Sequence, residues 1–198
     1  MTEWEKSLPP IARERLARIG EPTREEKNSI RVAEAVDSLL AEYYQGHMGP
    51  DELWRRLKEE GKPSLLRKAQ MRLLDSLSFG SAPADLQRRS EGIIAIETLK
   101  EDQNTPLVQH TFDLMKDLQK RYRTETEEAR DRIRAEVERN PQLRMKQVQQ
   151  GQSTIMIQLT IDEAIEQIPQ WRDFLAEHEK KYGREFNELV DKLRSELA

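Results

Sequence analysis

The chain has 198 residues, no cysteine, 35% charged and 36% hydrophobic residues, and a formal net charge of −4. Lack of cysteine excludes disulfides and thiolate metal sites, and so polar a composition excludes a thick core, leaving thin helical layers that each bury one stripe. Basic and acidic groups, 33 and 37, are spread evenly, so no segment has the strong basic excess that phosphate backbones demand.

In chain order, Leu8-Pro9-Pro10 followed by Ile11, Leu16 and Ile19 and stopped by Gly20 predicts a short helix, with proline at its start and glycine at its end. Thr23-Arg24-Glu25-Glu26 is a capping box, in which hydroxyl and carboxylate each satisfy an orphan amide. It opens a helix carrying Ile30, Val36, Leu39, Leu40 and Tyr43, which ends at Gly46. Pro50-Asp51-Glu52 starts a third helix with Leu53, Trp54 and Leu57 inward, and Pro63-Ser64 a fourth with Leu65, Leu66, Leu73 and Leu74. These segments predict an N-terminal helical bundle over residues 7–78.

Phe79-Gly80-Ser81-Ala82-Pro83 reads as a domain boundary, followed by a helix with Leu86, Ile93, Ile96 and Leu99 inward. Asp102-Gln103-Asn104-Thr105-Pro106 is turn chemistry, with Thr105 expected as the N-cap and Pro106 as the first helical residue. Residues 106–139 then contain no glycine and stop at Asn140-Pro141. As one helix they span roughly 50 Å, longer than the about 40 Å diameter of a compact chain of this length, which predicts an elongated, coiled-coil-like protein. Residues 84–139 therefore read as an antiparallel helical hairpin. The stripe of the long helix runs through Met115, Leu118, Tyr122, Ile133 and Val137, but 15 of the 24 residues from 116 to 139 are charged. The helix upstream is too short to cover that stripe, so its distal half is expected to stand open.

After Pro141 the period changes. Ser153 to Thr160 is β-branched and alternating, with Ile155, Ile157 and Leu159 on one face. Residues 143–148 read as its partner strand across a turn at 149–152, the alternative being a continued helix over 143–149, which the Asn140-Pro141 break disfavours. Thr160-Ile161-Asp162-Glu163 is a second capping box, opening a helix that Pro169 interrupts. Trp171, Phe174 and Tyr182 continue the apolar face to Gly183, and a separate terminal helix carries Phe186, Val190 and Leu193. Residues 141–197 thus form a β-hairpin with C-terminal helices, and the fold class is mainly α.

Candidate chemistry is sparse. His47, His110 and His178 lie in none of the Glu-x-x-His or His-Glu-x-x-His spacings that build di-iron or zinc sites, and no glycine-rich phosphate cradle or nucleophile elbow is present. No catalytic residue, metal ligand or cofactor is predicted. No 18-residue apolar run offers a membrane span, and the first residues lack the pattern of a signal peptide, so a cytoplasmic location is expected. The expected function is that of a non-enzymatic interaction or assembly protein, a scaffold or adaptor that forms a homodimer. Its surfaces are the open stripe of the long helix and the strand edge at Ile155, Ile157 and Leu159, where two hairpins paired about a two-fold axis would satisfy the orphan edge. The alternative is nucleic-acid association through Arg139, Arg144 and Lys146, a weaker reading because three cations neutralise few phosphates.

Overall fold

A computed structural model describes residues 23–150 and 153–197, with Pro9 and Ile11, and without the side chains of Gln150 and Ser153. Among these residues the fold is mainly α, with seven α-helices and one two-stranded antiparallel sheet near the C-terminus. The short helix expected over residues 11–19 lies outside them, Ile11 excepted. By its contacts the chain divides into two compact units, Met1–Gly49 and Pro50–Ala198.

In the first unit, α1 (Arg24–Tyr44) opens on the predicted capping box: Glu26 N–H donates to Thr23 Oγ1 at 3.2 Å and Thr23 N–H to Glu26 Oε2 at 2.7 Å. It closes at Gly46, whose φ of +79° is open to glycine at little cost and lets the chain turn back on the last carbonyls.

The second unit holds α2 (Pro50–Glu60), α3 (Pro63–Asp75), α4 (Pro83–Glu97) and α5 (Thr105–Arg139). A 3-10 turn (Pro141–Arg144) leads into β1 (Met145–Gln150) and β2 (Ser153–Gln158), followed by α6 (Ile161–Gln167) and α7 (Pro169–Leu197). Five of these helices begin with proline at the first or second position, where the missing N–H costs nothing. α4 is central: it packs on α2 and α3 and on α5, and its Leu86, Ile93 and Ile96 are fully buried.

The turn into α5 differs from expectation. Asn104, not Thr105, is the N-cap, and its side chain makes no capping bond. Its backbone N–H instead donates to Glu97 Oε1 at 2.8 Å. Glu97 is buried at 1% exposure, also accepts from Gln70 Nε2 at 2.7 Å, and forms an ion pair with Lys100 Nζ at 3.2 Å. A buried carboxylate persists only when its oxygens are paired in this way, so the α4–α5 turn is held by a polar knot rather than by a local cap.

Residues 79–83, expected as a boundary, lie inside the second unit. The Phe79 ring sits 5.0 Å from that of Tyr122, 6.3 Å from Tyr182 and 6.0 Å from Phe186, and Gln119 Nε2 donates to the carbonyls of Phe79 and Ser81.

The C-terminus corrects a second expectation. α7 runs unbroken through Gly183. Trp171, Phe174, His178, Tyr182 and Phe186, spaced at three and then four residues, form one aromatic row along it, and this tertiary packing outweighs the roughly 1 kcal/mol by which a glycine weakens a helix. α7 runs antiparallel to α5, with Arg121 near Glu185, Tyr122 on Tyr182 and Glu125 by His178. Beyond Tyr122, α6 and the start of α7 take over. Ala129 and Val137 of α5 share a core with Ala164, Ile165 and Trp171, flanked by Ile133, Leu159 and Ile168.

Candidate interaction surface

The long-helix stripe is not open. Met115, Leu118 and Val137 are buried within the chain, and Tyr122 and Ile133 are half-buried. The expectation weighed only the helix before α5 as its cover, whereas the cover comes from the helices after it, returning antiparallel. Arg130 and Arg134, both on the charged half, reach across to Asp162 at 3.1 and 2.9 Å, so part of the charge read as solvated links α5 to α6.

The hairpin is different. Its strands pair one to one from Met145 opposite Gln158 to Gln150 opposite Ser153, without a bulge. Five of the nine large apolar side chains exposed among the described residues lie here: Leu143, Met145, Ile155, Met156 and Ile157. Ile155 and Ile157 are where alternation predicted them, on one face with Val148 and Lys146. Leu159 is not part of that surface, since it turns into the core under α6. Met145 and Met156 occupy the opposite face among Gln147, Gln149, Thr154 and Gln158. Sequence reasoning passed over that face because it reads as polar.

Two bonds fix the base of the hairpin. Leu159 N–H donates to the Arg144 carbonyl at 2.7 Å, and Arg144 Nε donates to the Leu159 carbonyl at 2.9 Å. The first also sets the parity of the ladder. Residues opposite one another alternate between bonded and non-bonded pairs, so 144/159, 146/157 and 148/155 are bonded. Thr154, Met156 and Gln158 therefore direct their backbone N–H and C=O groups away from β1, to the outer edge. No described residue pairs with that edge.

Of the three cations proposed for nucleic acid, Arg144 is a structural clamp, while Arg139 and Lys146 are exposed on separate elements. The histidines do not converge. His47 and His110 are exposed, and His178 lies in the α5–α7 seam with Nε2 3.4 Å from Glu125 Oε2, out of line for a hydrogen bond. Beside it, burial and then a hydrogen bond to Glu125 push the Tyr182 hydroxyl above its ordinary value. At α6 the Thr160 backbone and hydroxyl donors hold the Glu163 carboxyl below the usual range. A cavity of about 630 Å³ between α2, α3 and the ends of α4 and α7 is lined by both signs of charge, Lys58, Arg67 and Lys100 against Glu101, Asp102 and Glu196. Lys100 is already committed to Glu97 and the Leu197 carbonyl. Among the described residues no helix is long and apolar enough to cross a membrane.

The model of DUF6657, a family of unknown function, matches residues 51–198, and the chain belongs to that family. The match begins within one residue of the second compact unit. No curated protein and no solved structure matches the chain.

Proposed function

We propose that this member of DUF6657 is a non-enzymatic interaction and assembly protein whose contact element is the β1–β2 hairpin. The observation that carries this reading is the concentration of exposed apolar side chains, Met145, Ile155, Met156 and Ile157, on a two-stranded sheet whose edges no described residue pairs. Two strands alone are at best marginal in water, and exposed flat edges are a liability that proteins otherwise blunt with charge, proline or bulges. An element that keeps such an edge gains its stability from what it binds. The long helix and its covering helices serve as the rigid mount.

Ile157→Lys tests the reading. Ile157 is 36% exposed, and surface substitutions of this kind usually change stability by no more than about 0.5 kcal/mol, so the variant still folds and loses only the stability that association adds. Its association, with itself or with partners captured from the source cells, falls at least about tenfold, a loss of about 1.4 kcal/mol. A variant that sediments like the parent and captures the same proteins refutes the hairpin as the contact element.

A further inference from the structure

We propose that the occupant of this contact element is a second copy of the chain, with β2 pairing antiparallel to its own counterpart about a two-fold axis through Met156. The proposal rests on the reading of the hairpin as the contact element and adds the partner and the register.

The choice of edge follows from charge. β2, Ser153–Gln158, carries no ionisable side chain, no proline and no bulge, so self-pairing meets no like charge. β1 carries Lys146 and begins beside Arg144, and no carboxylate occurs between Arg139 and Ile161. Pairing β1 with itself would bring uncompensated cations to one seam, which is destabilising between facing strands. The neutral edge matches itself, and the basic edge does not.

The register follows from the backbone. A two-fold axis normal to the sheet keeps each side chain on its own face, so the axis must pass through a residue rather than between two. Thr154, Met156 and Gln158 hold the outward-facing groups. An axis at Met156 sets Thr154 opposite the second copy's Gln158, Met156 opposite Met156, and Gln158 opposite Thr154: three bonded pairs with two hydrogen bonds each. An axis at Ile155 or at Ile157 leaves one of the three without its pair. With Met156 on the axis, Ile155 stands opposite the second copy's Ile157, and each such pair continues to Val148 or Lys146 on the flanking β1 strands. Four isoleucines become contiguous at the centre of a four-stranded sheet, which has the strand number that independent stability requires.

The chain has no cysteine, so introduced thiols report without background. Ile155→Cys and Ile157→Cys are made separately in the full chain, then oxidised mildly, each alone and after co-expression. In the proposed register positions 155 and 157 face each other at a non-bonded site, about 4.5 Å apart at Cα. Like positions are offset by two residues and stand about 8 Å apart, beyond the roughly 7 Å limit for a disulfide. The expected result is a parent that sediments as a dimer, a mixed disulfide in the co-expressed sample, and no crosslink in either single variant. A crosslink in one variant alone overturns the register, and a dimer that crosslinks in neither format overturns the seam. A parent that remains monomeric overturns self-pairing but leaves the hairpin open to a foreign partner, which the Ile157→Lys comparison decides separately. The unmodified parent gives a second measurement: the Thr154, Met156 and Gln158 amides are protected from hydrogen exchange in the dimer, and exchange at the rate of a free peptide overturns the proposal.

Discussion

Tyr182 shows how one side chain in the α5–α7 seam carries a pH limit for the fold. It is 1% exposed, packed on Phe79, Tyr122 and His178, and its hydroxyl faces Glu125. Burial and the neighbouring carboxylate both favour the neutral phenol in the folded state, so its ionisation is raised above that of the unfolded chain. The stability this group contributes is complete below about pH 10, the unfolded value, and is lost as pH climbs through the raised folded value. Denaturant titrations between pH 8 and 11 are expected to show a falling midpoint above pH 10 in the parent, and a shallower fall in Tyr182→Phe. Equal slopes would show that Tyr182 does not set the alkaline limit. Glu163 works in the opposite sense: its lowered carboxyl supports the α6 cap at neutral pH and releases it as pH falls through the folded value.

At the scale of elements, α5 and α7 illustrate which signals a sequence carries and which it does not. Both capping boxes, the proline starts, the end of α5 at Asn140 and the hairpin alternation were legible because each is a local pattern with a local cause. The cover over Tyr122, Ala129 and Val137 was not, because it comes from residues about 30 to 60 positions later, and stripes alone do not say which stripe meets which. The Gly183 break was misread for the same reason: a local helix-breaker was outweighed by an aromatic row whose partner lies on α5. In the hairpin, Ile155 and Ile157 were readable from their alternation. Met145 and Met156 gain meaning only once they are seen to stand exposed among the described residues. Gly183 also offers an element-scale test. A Cβ there meets nothing within 4 Å and the backbone is helical, so Gly183→Ala is expected to stabilise by about 0.5–1 kcal/mol. For a unit of this size the melting temperature should rise by about 1–4 °C. A melt that is unchanged or lowered would mean that the glycine relieves a constraint the packing around α7 does not reveal.

For the whole molecule, the compact unit Pro50–Ala198 coincides with the residues 51–198 that the family model matches. It contains the α2–α4 layer, the aromatic seam and the second core beneath the hairpin. Residues 50–198 expressed alone are therefore expected to give helical circular dichroism and a single cooperative melt. Loss of cooperativity in that fragment would show that the first unit is needed to complete the core.

The antiparallel return of α7 over α5 also sets an order of events during translation. Val137 leaves the ribosome about 60 residues ahead of Leu197, and at about 5–20 residues per second the delay is roughly 3–12 s. Until then the α5 stripe lacks its full cover on the nascent chain, and the β2 edge joins it there about 20 residues behind Val137. The stripe is then sealed by the chain's own later helices, whereas no described residue covers the β2 edge, so the two surfaces part ways only once α6 and α7 have docked.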